Sequence, residues 1–184
     1  MKPFRLLLFL ALLWASGLSA QNGKKVYADY HGVRYTRAHD GKLGRWEMHA
    51  DTHKSQTGRA RLCYNADFCD SLGRRDIAAA AYPAIGMHSD LDPHAIEYRI
   101  LAAKAAGVDG FFVEWGFMGH ENDLLLRAMQ PVAAKYGFEI GVNWCDGWLY
   151  YAWITRLHPA IATREQKTEH FARCCQYLVD EVFS

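Results

Sequence analysis

The sequence predicts an α/β fold organised on a parallel sheet or barrel, and residues 81–146 show it most clearly. Two helix patterns alternate in this stretch with two short apolar runs, which is the βα rhythm of such folds. Each apolar run has the length of a buried strand, and each ends in polar or aromatic residues. The alternation therefore predicts consecutive βα units.

The first strand and the first long helix have clear boundary signals. An apolar and aromatic run predicts a strand over residues 25–30. The first long helix is expected to begin at Asp92, a favourable N-cap, with Pro93 at the first helical position. Its apolar residues recur at helical spacing until Gly107, a residue type that commonly ends helices. Residues 110–115 then follow as a buried strand.

The second helix and the strand after it repeat this unit. The helix is predicted to begin near residues 121–123 and to end at Gly137. Residues 138–144 form the next apolar run and are predicted as a strand. The aromatic run over residues 147–153 is expected to be a loop or short helix that packs over the strand ends.

Two further segments complete the chain. Thr163 and Gln166 have the spacing of a capping box, which predicts the start of a final helix. Residues 32–75 are polar and lack hydrophobic periodicity, and loops of this length are usually functional or mobile. An aromatic and polar cluster over residues 45–49 stands out within this segment. By sequence alone, a surface loop anchored by Trp46 is the favoured explanation of that cluster.

Polar and aromatic residues gather where the predicted strands end. In parallel α/β folds, ligand sites form beyond the carboxyl ends of the strands. Carboxylates beside indoles suit sugar chemistry, because aromatic faces stack on pyranose rings and carboxylates hold hydroxyls or transfer protons. Helix capping explains any one such residue equally well, but the group favours a binding site. Its members are Glu114, Trp115, Asn143, Trp144 and Asp146.

The first twenty residues have the pattern of a secretory signal peptide. Lys2 and Arg5 precede a short apolar run, and small residues lead to a predicted cleavage site after Ala20. The run is too short to span a bilayer comfortably. We therefore expect an extracytoplasmic protein, periplasmic or secreted, with no membrane contact after cleavage and with residues 21–184 as one domain.

Composition and spacing exclude several classes of partner. The formal net charge is +1 with dispersed basic residues, so no nucleic-acid footprint is expected. Histidines are scattered and no cysteine spacing matches a zinc site, so neither a metal nor a cofactor is predicted. The spacing of Cys63 and Cys69 permits a local disulfide without establishing one.

A series of short motifs resembles the glycoside hydrolase family 71/99-like group, which includes endo-α-1,2-mannosidases and endo-mannanases. The resemblance spans nearly all of residues 21–184. It rests on the order of Val26-Tyr27-Ala28-x-Tyr30, Trp46-x-x-His49, Tyr82-Pro83-x-Ile85-Gly86, Ser89-x-x-Asp92-Pro93, residues 106–110, Glu114-Trp115, Lys135-Tyr136-Gly137 and Thr163-Arg164-Glu165.

The resemblance implies a (β/α)₈ barrel of the TIM type that acts on a glycan or polysaccharide without a metal. A full barrel takes about 250 residues, so the chain is expected to hold only the first three βα units, a truncated barrel. The family's catalytic carboxylates belong to a late Glu-containing motif beside Trp, and nothing here corresponds to it. The chain alone is therefore expected to be inactive, and an open sheet edge would make it poorly stable.

The resemblance also implies a set of glycan contacts. Related chains often carry Glu at the position of Cys145, followed by Asp, so the role of Asp146 stays open. The implied substrate contacts are Tyr30, His31, Trp46, His49, Glu114, Trp115 and Asp146.

Three functions are consistent with these observations. The first is a secreted glycoside hydrolase-like protein acting on α-mannosidic or related linkages, represented by its N-terminal half. The second is a non-catalytic secreted carbohydrate-binding protein. The third is an enzyme complete at this length, in which Glu114 and Asp146 are the paired carboxylates, since neighbouring barrel strands bring acids within the range that glycosidases use.

Overall fold

A small parallel sheet lies at the centre of the protein. The computed structural model describes residues 23–47, 64–150 and 152–184. Its strands are β1 (Tyr27–Tyr30), β2 (Gly110–Trp115) and β3 (Glu139–Trp144). All pairings are parallel, with β2 between β1 and β3. The α/β class and the parallel sheet predicted from the sequence are confirmed.

Some predictions fall outside the described residues. These are the signal peptide over residues 1–20, the glycan contact His49 and the disulfide partner Cys63. Cys69 carries a free, exposed thiol in the structure. The signal peptide and the role of His49 stay predictions.

The described helices cover one face of the sheet and extend beyond its carboxyl end. They are α1 (Arg37–Asp40), α2 (Pro93–Ala105), α3 (Glu121–Lys135), α4 (Asp146–Tyr150), α5 (Ala152–Leu157) and α6 (Arg164–Tyr177), with a 3₁₀ turn at Arg45–Glu47 and a π-helical turn at Leu178–Val182. Asp92 caps α2, and the capping box of Thr163 and Gln166 is present at α6, as predicted. Across the described ranges, no helix is long and apolar enough to cross a membrane.

The main hydrophobic core lies between the sheet and these helices. Side chains alternate along a strand, and on β2 the core-facing set is Phe111, Val113 and Trp115. Full burial of a large apolar side chain contributes about 1.5–3 kcal/mol, so this layer holds the long helices against the sheet. Their fully buried partners are Ile96 and Ile100 of α2 and Leu125, Leu126 and Met129 of α3.

The opposite face of the sheet is concave. Asn143 Nδ2 on β3 donates a hydrogen bond to Asp29 Oδ1 on β1 at 3.0 Å, across the intervening strand. The hydroxyl of Tyr27 likewise reaches the carboxylate of Glu139. Adjacent strands lie about 4.8 Å apart, so β1 and β3 of a flat sheet would be roughly 10 Å apart. Short side chains can bridge that gap only if the sheet curves, as it does in barrels.

The segment after β1 packs on a small core of its own. Trp46 is 2% exposed and lies with Leu43, Ala66 and Ile77. Its indole N–H donates to the carbonyl of His88 at 2.9 Å. Part of the polar segment 32–75, including Leu43 and Trp46, is therefore packed in a small core, whereas most of residues 67–75 are exposed.

Asp90 joins this segment to α2. The carboxylate is 0% exposed and forms an ion pair with Arg99 of α2. Its other oxygen accepts a hydrogen bond from the backbone N–H of Arg34 at 2.7 Å, and the N–H of Asp90 donates back to the Arg34 carbonyl at 2.8 Å. The hydroxyl of Tyr30 lies 3.4 Å from the same carboxylate. A buried charge is tolerated because these groups satisfy it.

A second buried carboxylate, Asp123, holds α6 against the end of β2. Asp123 is 3% exposed. It accepts hydrogen bonds from Trp115 Nε1 at 3.0 Å, from the backbone N–H of Gly119 at 3.0 Å and from the Tyr177 hydroxyl at 2.7 Å. Strand, loop and helix therefore share one acceptor.

Asp123→Ala is expected to lower the free energy of unfolding by about 3 kcal/mol, because it leaves these buried donors without an acceptor. Urea unfolding followed by tryptophan fluorescence measures the change. Asp180→Ala is the control, since Asp180 is exposed and bonds only to Gln176 among the described residues. A loss below about 0.5 kcal/mol, the range of ordinary surface substitutions, would contradict the role of Asp123.

His170 on α6 is buried without a compensating acid. Its side chain lies beside Phe117 and is 5% exposed, and no described group bonds to Nε2. Burial lowers the pKa of His170, and the positive charge of Arg173 and the nearby His158 lower it further. The folded protein therefore favours the neutral ring.

Folding stability is expected to fall as the pH drops through about 6.5, the ordinary pKa of histidine, because the unfolded chain then binds a proton that the folded His170 resists. His170→Leu should reduce the loss of unfolding free energy between pH 7 and pH 5. Burial also lowers the pKa values of His88 and His120, so part of the loss should remain. His94→Leu, at an exposed position of α2, should keep the full loss. Equal losses in both variants would refute this assignment.

Candidate functional site

The candidate site centres on the carboxylate of Glu114, near the carboxyl end of β2 on the concave face. Its side chain is 13% exposed. Three nitrogen atoms approach one oxygen, Oε2: His31 Nδ1 at 3.1 Å, Arg45 Nη2 at 3.2 Å and Asn122 Nδ2 at 3.5 Å. The carboxylate is therefore held by groups from three separate segments of the chain.

Local structure positions the three residues that contact the Glu114 carboxylate. His31 directly follows β1, and Asn122 lies in the first turn of α3, where its Nδ2 also donates to the Glu114 carbonyl at 2.6 Å. Arg45 begins the 3₁₀ turn, and its backbone N–H donates to the Val33 carbonyl at 3.1 Å. Val33 has φ of 66°, which costs a β-branched residue on the order of 1–2 kcal/mol. The bond to Val33 holds Arg45 next to the residues that follow β1, so its side chain reaches Glu114 near the end of β2.

A chain of polar contacts continues from Glu114 through His31 to Asp29 and Asn143. His31 Nε2 lies 2.7 Å from Asp29 Oδ2, and Asn143 donates to the other oxygen of Asp29. The bond from Asn143 and the contact with His31 hold the pKa of Asp29 below its usual value. Both ring nitrogens of His31 therefore face carboxylate oxygens, and the ring orientation is set from both sides.

Cys145 and Asp146 border the same region. The pKa of the Cys145 thiol is raised by burial and by the negative charges of Glu114 and Asp146. The thiol is therefore kept protonated, which disfavours a nucleophilic or metal-binding role. Asp146 is exposed at the first position of α4.

An indole and an imidazole lie against the end of β2. The ring centroids of Trp148 and His120 are 5.0 Å apart. Gly116 follows β2 directly, and a Cβ at this position would overlap the Trp148 ring. Burial lowers the pKa of His120, while the nearby carboxylates of Glu121 and Glu114 oppose that shift. Trp148 of the predicted aromatic run therefore packs over the end of β2, from the short helix α4.

Three of the predicted glycan contacts lie away from Glu114. The hydroxyl of Tyr30 bonds with Arg99 on the helix-facing side of β1. Trp46 is in the core of the segment after β1, and Trp115 is 0% exposed in the main core. Trp115 follows Glu114 directly, so the alternation of a strand sends the two side chains to opposite faces. The structure therefore places these three rings in or against the cores, and their role as glycan contacts stays a prediction.

Asp29, Arg45 and Asn122 were not among the predicted contacts. The signal for Asp29 was its alternation with Ala28 and Tyr30, which places the carboxylate opposite the apolar side of β1. The signal for Asn122 was weak, because a polar residue in the first helical turn is also typical of capping. Nothing in the sequence pairs Arg45 with Glu114. In the described ranges, no group of His, Cys, Asp and Glu side chains is arranged to hold a metal ion.

The fold and the site together define an α/β protein with a small parallel sheet and a polar site at the carboxyl ends of its strands. No family model matches the chain, and no curated protein matches it. Solved structures do match. One is the GH99 endo-alpha-mannosidase from Bacteroides thetaiotaomicron, at 20% identity and a TM-score of 0.51, covering 65% of this chain and 32% of that one.

A second structure of the same enzyme, in complex with bis-tris-propane, aligns at 20% identity and a TM-score of 0.47, covering 65% of this chain and 29% of that one. The chain thus spans about a third of the length of the structures that it matches. At this identity the likeness concerns the fold, which is similar to that of a TIM-barrel glycoside hydrolase.

Asn143→Ala is expected to raise the pKa of Asp29 toward its ordinary value, because the carboxylate loses a donor that stabilises its charged form. A carbon-13 NMR titration of the aspartate carboxyls measures the shift directly. Asn65→Ala, in the segment after β1, should leave the Asp29 titration unchanged. An unchanged Asp29 pKa in Asn143→Ala would show that the bond across the sheet does not form in solution.

Proposed function

We propose that this chain belongs to an extracytoplasmic glycoside hydrolase-like protein that acts on α-mannosidic or related glycan linkages, and that the described residues contribute glycan contacts. The observation that carries the proposal is the polar array around Glu114 on the concave face. A barrel fold places its ligand site at the carboxyl ends of the strands, and that is where this array lies. The solved neighbour of the same fold is an endo-alpha-mannosidase.

The array has the chemistry that sugar recognition uses. Carboxylate oxygens accept hydrogen bonds from hydroxyls, and guanidinium and amide groups donate to hydroxyl oxygens. Here Asp29 and Glu114 supply acceptors, while Arg45 and Asn143 supply donors. They form two hydrogen-bonded pairs, Arg45 with Glu114 and Asn143 with Asp29. Ligand hydroxyls can replace these bonds, because a hydroxyl both donates and accepts.

The second candidate is a carbohydrate-binding protein without catalysis, and one observation favours it for the described residues. Glu114 Oε2 is surrounded by donors, and Asp29 bonds to both His31 and Asn143. A general acid must carry a proton that it can give away, whereas the bonds from Asn143 and His31 hold the pKa of Asp29 below its usual value. Asp29 therefore serves better as a fixed acceptor than as a proton donor. Asp146 keeps its place as a candidate second carboxylate.

Extracytoplasmic location rests on the sequence of residues 1–20, which has the pattern of a signal peptide. Fusion of these residues to a reporter that folds only outside the cytoplasm tests the location. Reporter activity that survives deletion of residues 1–20 would contradict it.

Isothermal titration with α-1,2-mannobiose and with α-mannan oligosaccharides tests glycan binding by the full chain. We expect Glu114→Gln to weaken binding at least tenfold, because hydrogen bonds to a charged group contribute about 1.5–3 kcal/mol. Glu97→Gln is the matched control, since Glu97 joins α2 to Lys135 and lies away from the concave face. Failure of all these glycans to bind the wild-type chain would overturn the proposal.

Release of reducing sugar from the same oligosaccharides separates the two candidates. Hydrolysis that is lost in Glu114→Gln or Asp146→Asn would establish an enzyme that uses these acids. Binding without hydrolysis would favour the carbohydrate-binding protein.

A further inference from the structure

We propose that His88 is a pH switch: when its ring gains a second proton it no longer binds Arg99, and the segment after β1 that carries Trp46 loosens from α2. The inference is independent of what the site around Glu114 binds. It comes from the chemistry of the groups that hold the imidazole, and from a cleft that borders the ring.

The hydrogen-bond partners of the His88 ring fix its protonation state. Nδ1 lies 2.6 Å from the carbonyl oxygen of Gly86, which can only accept, so Nδ1 carries a proton. Nε2 contacts the guanidinium of Arg99, which can only donate, so Nε2 offers its lone pair. A ring with a proton on Nδ1 and a lone pair on Nε2 is neutral. The structure therefore holds His88 in one neutral tautomer.

A second proton on this ring conflicts with Arg99. It would lie on Nε2 and point at a group that is itself a donor and positively charged. The side chains of His88 and Arg99 are 11% and 18% exposed, so water screens this repulsion little. Burial lowers the pKa of His88, and the positive charges of Arg99 and Arg34 lower it further. The Gly86 carbonyl and the Asp90 carboxylate oppose that shift.

The charged groups around the ring offer a protonated His88 a different partner. Asp90 Oδ1 lies 3.9 Å from Nε2 and is paired with Arg99. An imidazolium competes for that carboxylate, whereas a neutral ring does not. The charged or titratable groups that face the ring and its guanidinium partner come from α2, from the loop before it, from β1 and from the segment after β1; they are Arg99, Asp90, Tyr30 and Arg34.

A cleft of about 600 Å³ borders the His88 ring between α2 and the loop before it. The titratable side chains that line the cleft beside His88 are Arg75, Asp92, His94 and Tyr98. Through this cleft solvent reaches the region of the ring. It also gives a protonated ring space to turn away from the guanidinium.

Trp46 links the His88 ring to the candidate site. Its indole N–H donates to the carbonyl of His88 at 2.9 Å, and its ring lies edge-on to the imidazole with the centroids 5.3 Å apart. Arg45, the residue before Trp46, contacts the carboxylate of Glu114. A movement of His88 that loosens Trp46 therefore also acts on the residue that contacts Glu114.

The switch acts in acid. The folded protein resists the second proton, so His88 binds it only below about pH 6.5, the ordinary pKa of histidine. One proton then moves from solvent to Nε2, and the hydrogen bond from Arg99 breaks because its acceptor is lost. Above this pH the neutral ring and the bond are restored.

Hydrogen exchange of two indole N–H groups in the full wild-type chain tests the inference. The Trp46 N–H reports on the contact with the His88 carbonyl, and the Trp115 N–H, which binds Asp123, reports on the main core. Between pH 7.5 and pH 5 we expect the protection factor of the Trp46 N–H to fall at least about tenfold more than that of Trp115, because the opening is local. Equal falls, or an unchanged Trp46 protection factor, would overturn the inference.

A matched pair of variants assigns the response to His88. His88→Gln keeps a neutral oxygen that can accept from Arg99 but does not bind a proton in this pH range, so we expect the additional fall at Trp46 to disappear. His94→Gln, at an exposed position of α2 beside the same cleft, is the control and should keep it. An additional fall that persists in His88→Gln would refute the switch.

Nitrogen-15 NMR of the wild-type imidazoles gives a test that needs no substitution. At pH 7.5 we expect His88 to carry its proton on Nδ1, and on acidification Nε2 should gain a proton over the same pH range in which the Trp46 N–H loses protection. A proton on Nε2 at pH 7.5, or protonation of Nε2 with no change at Trp46, would contradict the inference.

Discussion

The arrangement of the site depends on one buried ion pair, that of Asp90 with Arg99. Asp90 is fully buried, and its backbone N–H donates to the Arg34 carbonyl. Its carboxylate accepts a hydrogen bond from the Arg34 backbone N–H and pairs with Arg99 of α2. The segment after β1 is thereby attached to the helix layer. Replacing one partner would leave a buried charge without compensation, which is strongly destabilising. The chain then returns antiparallel to itself, with Gly44 paired to Arg34 and the backbone N–H of Arg45 bonded to the Val33 carbonyl. This return places the Arg45 side chain beside Glu114.

Close packing around Gly32 leaves no space for a side chain at this point of the segment after β1. Gly32 is buried between Leu125 and Asp90, and any Cβ there would overlap the Leu125 side chain. The backbone between His31 and Arg34 therefore runs directly over α3. As a result, the side chains of His31 and Arg45 contact the Glu114 carboxylate, although both residues are far from Glu114 in the sequence. The segment that follows β1 thus supplies side chains to the end of the neighbouring strand β2.

The curvature of the sheet links fold and function. Because Asp29 and Asn143 meet across β2, the polar side chains of the concave face form one connected array instead of separate rows. The convex face takes the aromatic rings of Phe111 and Trp115 into the core. A single strand thus carries a carboxylate on the concave face and a buried indole at adjacent positions. The likeness to the solved structures concerns the fold.

The sequence by itself determined the α/β class, the strands, the main helices and their caps, because hydrophobic period, Asp-Pro and capping-box signals act over a few neighbouring residues. It also identified Glu114 as a member of a strand-end group, and the resemblance implied His31 as a glycan contact. Only the tertiary structure decided that Trp115 and Trp46 lie in the cores and that the Tyr30 hydroxyl bonds with Arg99. It also decided that Arg45, Asn122 and Asp29 join the polar network around Glu114 and His31. Which residues meet depends on sheet curvature and on the path of the segment after β1. Both arise from contacts between residues distant in sequence, and local patterns do not encode such contacts.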